Sequence, residues 1–275
     1  MAKKLHLVII DPQNDFADSK GSLFVAGADV DMKDRLPKFI RRMKGKIADI
    51  HVTLDSHHKI DIAHPIFWID SKGQHPNPFT TIKAADVLNG TWTTTRTNLL
   101  PRARDYVQAL EKNNRYELMI WPEHCKIGSW GHNVVPELYE ALAEWEDANF
   151  ALTDYITKGS NIFTEHYSAV KAEVPDPTDP STQLNTNFIN TLENEADIVV
   201  VAGEASSHCV ANTVRDIADN FQNQAFLSKI VLLTDAMSPV GIAKAQADKF
   251  IDDMKAKGVR LATTADYLAS ASASN

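Results

Sequence analysis

At 275 residues, with 44% hydrophobic and 23% charged side chains, the chain has the make-up of a globular protein with a substantial core. Its formal net charge of -8 excludes a broadly basic surface, so neither nucleic acid nor an anionic membrane is expected as a partner. Two cysteines are too few for a disulfide framework, no apolar run approaches a membrane span, and "MAKKLHLVIID" lacks a secretory pattern, so a cytoplasmic location is expected.

In chain order, "LHLVIID" (5–11) predicts a buried strand, helical spacing follows at 31–44, and "ADIHVTLD" (48–55) predicts a second strand. Residues 56–98 carry His, Pro, Asn and Thr without a clear period, as a functional lid or insertion would. Helical spacing at 99–112 leads into a predicted strand at "YELMIW" (116–121), then a helix at 135–147 and a weaker strand at "ALTDYITKG" (151–159). A helix at 182–195 and the strand "ADIVVVAG" (196–203) come next. In 208–221 the larger apolar residues Val210, Val214, Ile217 and Phe221 fall on one helix face. The strand "KIVLLTDA" (229–236) and a helix at 242–256 complete the pattern, and the tail "ASASASN" (269–275) is expected to be disordered.

Continuous β-branched runs alternating with helices predict a three-layer α/β/α fold around a central, mostly parallel sheet of about six strands. Neither an internal repeat nor an interdomain linker is visible. The expectation is one domain over 1–268, with an insertion around 65–120.

An open parallel sheet collects ligands at the carboxyl ends of its strands, which makes the strand-ending residues candidates. They are Asp11, Asp55, Trp121 with His124 just beyond, Lys158, and the turn leading to Cys209. A thiol in the first helical turn feels the positive end of the helix dipole, and the free N–H groups of "GEASSHC" suit an oxyanion. Cysteine is equally at home as an inert core residue, so position alone does not decide for catalysis. Asp11 and Asp15 in "IIDPQNDF" have the options of base, metal ligand or cap, and Asn14 or Asp15 suits a turn. In "LDSHHKIDIAH", Asp55, His57, His58 and His64 put four potential ligands within ten residues, and "WPEHC" adds His124. One carboxylate with two or three imidazoles suits zinc, iron or manganese; a solvated histidine-rich loop is the competing reading. Lys158, at the end of "DYITK", matters only if the fold holds it near Asp11 and Cys209.

Together these pieces resemble the isochorismatase-like cysteine hydrolases, and among them the nicotinamidases. "IIDPQNDF" is similar to the family's opening D-x-Q-N-D-F, and "LDSHHKIDIAH" to its D-x-H…H metal loop. "WPEHC" resembles its W-P-x-H-C, "VVVAGEASSHCV" its strand-turn around the cysteine, and "ITKG" falls at its lysine position. The anchors run from residue 6 to about 236. The resemblance implies a catalytic set of Asp11, Lys158 and Cys209, and one divalent metal ion on Asp55, His57 and His64, with His124 as the further contributor. It also implies that Phe16 and Trp121 sandwich a flat ring, that the N–H groups of Ala205 and Cys209 form an oxyanion hole, and that the Glu204–Ala205 peptide is cis.

The chain departs from the family pattern in three places. Its metal-loop spacing is longer, which leaves His58 open as a replacement ligand. Ser206 and Ser207 stand where Thr-Asp is common, and there is extra sequence around 65–120. The implied activity is hydrolysis of nicotinamide to nicotinate and ammonia through a cysteine thioester, in NAD salvage, with a homo-oligomer as a further possibility by analogy. The alternatives are a cysteine amidase acting on a ureido or carbamoyl compound, a metal-dependent hydrolase with a structural Cys209, and a non-catalytic binding protein.

Overall fold

The computed structural model describes residues 3–273. Six strands form the central sheet: β1 (Leu5–Ile10), β2 (Ile47–Asp55), β3 (Asp154–Lys158), β4 (Ile198–Gly203), β5 (Ile230–Leu233) and β6 (Arg260–Ala262). Their spatial order is β6-β5-β4-β1-β2-β3, and every pairing is parallel. All six residues of β1 are buried, as a strand covered on both faces requires.

Among the described residues, seven helices of eight or more residues accompany the sheet: α1 (Leu36–Met43), α2 (Leu100–Lys112), α3 (Pro136–Asn149), α4 (Thr186–Asn194), α5 (Cys209–Asn220), α6 (Lys244–Ala256) and α7 (Thr264–Ala273). The chain steps from β1 outward to β2 and β3 in one direction, and from β4 to β5 and β6 in the other. Right-handed crossovers therefore put α1 and α3 on one face and α5 and α6 on the opposite one. The layers agree with this: α1 packs on α3 and α7, and α5 packs on α6. The α/β/α architecture expected from the sequence is the one observed.

Three local expectations change. "YELMIW" is not a strand of the main sheet; Leu118–Met119 pairs antiparallel with Thr81–Ile82 in a separate two-stranded ribbon. Burial in this run alternates, with Leu118 and Ile120 inside and Met119 half-buried, the pattern of a strand with one covered face. The run is also stapled to the irregular segment through Ile120 N–H to Thr80 and Trp121 N–H to Ala63. A sheet strand that the sequence reading passed over is β6, three residues long. Finally, α7 takes in residues 269–273 of the expected disordered tail, while residues 274 and 275 lie outside the described residues.

The order reverses between β1 and β4, so a crevice opens at their carboxyl ends. There Gly203 sits opposite Ile10 with φ +123. A side chain at this position would place its Cβ 2.1 Å from the Ile10 carbonyl oxygen. Glycine lets the two backbones approach where the chain turns toward Cys209.

Candidate active site

Each element delivers one group to the crevice. β1 ends at Ile10, and Asp11 follows in the left-handed region with φ 44, a conformation costing a non-glycine residue about 1–2 kcal/mol. The turn is fixed by hydrogen bonds to β2: Asp11 N–H reaches Thr53 Oγ1 at 3.0 Å, and Thr53 Oγ1 donates to Asp11 Oδ1 at 2.5 Å. The last register pair of β2 and β3 is Asp55 with Lys158, which sets their side chains together. Gln13 ties the β1 loop to the same place, donating from Nε2 to the Asp55 carbonyl and accepting from the Asp55 N–H, both at 2.8 Å.

Lys158 is the hub. Its Nζ lies 2.9 Å from Asp11 Oδ2, 3.0 Å from Asp55 Oδ1 and 3.6 Å from Cys209 Sγ. Burial alone would discharge this ammonium, but Asp11 and Asp55 raise its pKa well above the ordinary value. Burial pushes the Asp11 carboxyl up, against the pull of Lys158. Burial likewise pushes the Cys209 thiol well up; Lys158 opposes it, and a hydrogen bond to Asp11 adds to it.

Cys209 opens α5, and the turn before it contains the cis Glu204–Ala205 peptide. Among the described residues, neither the Ala205 nor the Cys209 N–H has an acceptor. Two backbone donors are thus left beside the sulfur at a helix N-terminus, where negative charge is favoured.

The histidine cluster lies on the other side of Asp55. Asp55 Oδ2 is 2.9 Å from His57 Nε2 and 3.3 Å from His124 Nε2. A parallel bridge between His57 and Lys126 brings the "WPEHC" loop to the metal-loop segment, with His57 N–H bonded to the Cys125 carbonyl at 3.0 Å. Candidate ligand atoms of Asp55, His57 and His124 all lie within 4.8 Å of one another. The His64 ring stands 5.3 Å from that of His57 and 5.6 Å from that of His124. Its Nε2 is buried without a hydrogen-bond partner among the described residues. His58 is exposed and is not among the grouped ligand atoms.

Burial works against the Asp55 carboxylate, but His57 and Lys158 hold its pKa well below the ordinary range. Burial likewise disfavours a charged His57, and Asp55 and Asp61 reverse this to raise it strongly. Two carboxylates thus call for positive charge at this point, the His64 ring with its unpartnered nitrogen stands close by, and the donor set suits a borderline divalent ion. The residues fit a metal.

The cleft over these groups is tight, with a cavity volume of about 30 Å³. Phe16 and Trp121 line it together with Lys158, Cys209 and His124. Trp121 is held by its indole N–H, 3.0 Å from Tyr167 Oη.

Sequence reasoning missed Asp61 and the segment Glu165–Tyr167. Asp61 Oδ2 accepts from His57 Nδ1 at 3.0 Å, which turns His57 Nε2 toward Asp55. Glu165, His166 and Tyr167 line the cleft. Burial, reinforced by Asp61, pushes the Glu165 carboxyl up to about 8. Burial pushes the His166 imidazole down to about 3. The signal available was the run "TEHYS" soon after Lys158, a dense set of titratable groups that carries no periodicity.

No protein-family profile and no curated protein matches the chain. Solved structures do. A nicotinamidase/pyrazinamidase from Acinetobacter baumannii is 21% identical, covering 96% of this chain and 98% of that one, with a TM-score of 0.64. A pyrazinamidase of Pyrococcus horikoshii in complex with zinc is 19% identical over 94% and 99%, with a TM-score of 0.57. An isochorismatase-like hydrolase from Alkaliphilus metalliredigens is 15% identical over 97% and 98%, with a TM-score of 0.52. Over nearly its whole length, the chain shares the fold of these nicotinamidases, pyrazinamidases and isochorismatase-like hydrolases.

Proposed function

We propose that this chain is a cysteine amidohydrolase of the nicotinamidase type, converting nicotinamide to nicotinate and ammonia. The observation that carries this reading is the meeting of Asp11, Lys158 and Cys209 in one buried cluster, directly beside the Asp55, His57 and His124 group. A thiol, a base and a cation of this arrangement suit acyl transfer; an adjoining metal set suits a ring-nitrogen substrate.

Asp11 takes the proton of the Cys209 thiol, and Sγ attacks the carboxamide carbon. Lys158 keeps its proton throughout and offsets the charge of Asp11 and the thiolate. The Ala205 and Cys209 N–H groups meet the oxyanion, each donor contributing about 2.7–4 kcal/mol in comparable enzymes. As the carbon–nitrogen bond breaks, Asp11 gives its proton to the departing nitrogen, which leaves as ammonia. A thioester remains on Cys209. Asp11 then takes a proton from water, the oxygen adds to the thioester carbon, and the carbon–sulfur bond breaks. The proton returns to sulfur and the acid leaves.

Asp55, His57 and His124, with His64 in reach, would hold the metal, which supplies a Lewis acid for a ring nitrogen or a water. Phe16 and Trp121, both in the lining of the cleft, would flank the ring.

The test is ammonia release from nicotinamide by purified protein supplied with zinc, iron or manganese. No release, while Cys209 still alkylates, ends the substrate assignment. Release that a chelator leaves untouched moves the reading to an amidase without need of the metal.

A further inference from the structure

A second histidine–carboxylate cluster occupies the opposite end of the same strands. His6 on β1 pairs in register with Asp49 on β2, and His51 on β2 pairs with Asp154 on β3. A register shift between Leu5 and His6 brings His6 and Asp49 opposite one another. Because side chains alternate along a strand, His6, Asp49, His51 and Asp154 share one sheet face. About five residues of strand, roughly 16 Å, separate His6 from Asp11.

His6 and His51 are both 3% exposed. His6 Nδ1 lies 3.1 Å from His51 Nε2, and Asp49 Oδ2 is 4.0 Å from the same nitrogen. His51 Nδ1 lies 2.9 Å from Asp154 Oδ2 and donates its proton there, since the carboxylate only accepts. That fixes the tautomer, so His51 Nε2 carries a lone pair and His6 Nδ1–H donates to it. A carboxylate behind a histidine, with the other ring nitrogen facing a second imidazole and a second carboxylate, is the arrangement that orients metal-bound histidines.

We propose that His6, His51 and Asp49 form a second metal site, taking a borderline divalent ion of the zinc class, with Asp154 orienting His51. The ion replaces the proton shared between the two rings. His6 stays neutral by carrying its proton on Nε2 instead of Nδ1, so no charge is added to the ligands. Two imidazole nitrogens on one tetrahedral ion stand about 3.3 Å apart at zinc–nitrogen lengths of about 2.0–2.1 Å, so the 3.1 Å gap needs only a small opening. Water completes the coordination on the side of Asp49, whose side chain is 39% exposed and leaves a path for the ion.

The surroundings favour a cation. Glu195, at the C-terminal end of α4, acts on His6 with a negative charge, and the end of a helix adds its own negative potential. Phe188 of α4 closes the other side, its ring 5.1 Å from that of His51. Lys4 opposes that negative potential. None of these groups lines the catalytic cleft.

The experiment is metal stoichiometry. Wild-type protein stripped with chelator is titrated with zinc, and bound metal is counted by elemental analysis after desalting. His6→Gln and Asp49→Asn variants are treated alike, with ammonia release and thermal unfolding measured in parallel. The expected result is one equivalent of zinc fewer per chain in His6→Gln than in wild type. Asp49→Asn should bind that equivalent roughly tenfold or more weakly, with ammonia release unchanged in both. Because the readout is a difference between chains, it holds whether or not the catalytic cleft takes metal. Equal zinc content in wild type and His6→Gln, with both folded, overturns the proposal. If His6→Gln fails to fold, an Asp49→Asn variant that binds zinc as tightly as wild type overturns it instead.

Discussion

Two histidine–carboxylate clusters stand toward opposite ends of the sheet, and they differ in what adjoins them. At the carboxyl ends, Asp55, His57 and His124 adjoin Lys158, Asp11 and Cys209 under an open cleft. Toward the amino ends, His6, Asp49 and His51 carry the same ligand types, and neither Cys209 nor the α5 N-terminus belongs to that group. Ligand chemistry is shared between the two. What the carboxyl end adds is topology: the strand order reverses there, so the sheet leaves a crevice and aims an α5 N-terminus into it.

The largest expected effect that separates the two regions is loss of the thiol. Cys209→Ala should lower ammonia release by roughly ten-thousandfold or more, with metal content unchanged. Retained activity in that variant, abolished by chelation, would transfer the chemistry from the sulfur to the Asp55 cluster.

Lys158→Met comes next. It leaves Asp11 and Asp55 buried without their shared cation, a change that costs about 3–5 kcal/mol when a buried ion pair is broken from one side. Urea unfolding should register that loss, and turnover should fall with it. A variant as stable as wild type would mean that Lys158 is not the group neutralising these carboxylates.

Asp61→Asn sharpens the metal half of the comparison. Removing the carboxylate behind His57 Nδ1 should weaken metal binding by roughly 10–100-fold, while cysteine alkylation proceeds as before. Unaltered affinity by calorimetry would show that His57 needs no such orientation.

The smallest effect lies outside both clusters and serves as a check on the electrostatics. Burial raises the pKa of Glu173 from its ordinary 4.5 to about 7, against the pull of Arg115. The folded chain therefore keeps a proton that the unfolded chain releases. This contribution to stability is fully present below pH 4.5 and is lost as pH rises through 7. Wild-type stability should decline between pH 5 and 8 by roughly 1–3 kcal/mol from this group. Glu173→Gln should flatten that decline, as read from thermal unfolding across the same pH range.

The reading of the sequence succeeded where chemistry is written locally. Continuous apolar runs such as "LHLVII" and "IVVVAG" state their own burial, and a helix with Val210, Val214 and Ile217 on one face has few other ways to pack. It failed at "YELMIW", because residue type does not say which strand edge a short apolar run will meet. It passed over Arg260–Ala262, because three residues with an exposed arginine carry little pattern. Asp61 and Glu165 were missed for another reason: their roles come from burial beside His57, which no spacing rule expresses.

By itself, the sequence determined the alternation of strands and helices, and therefore which residues end the strands. Those properties follow from hydrophobic period and turn chemistry over a few neighbouring residues. Only the tertiary structure decided that Asp11, Lys158 and Cys209, spread over about 200 positions of the chain, share one buried site. Only it left His58 exposed and the His64 Nε2 without a partner, and drew His6 and His51 together at the far end of the sheet. The physical reason is that strand order and register are set by packing of the whole sheet against its helices, while burial then fixes the charge each group carries.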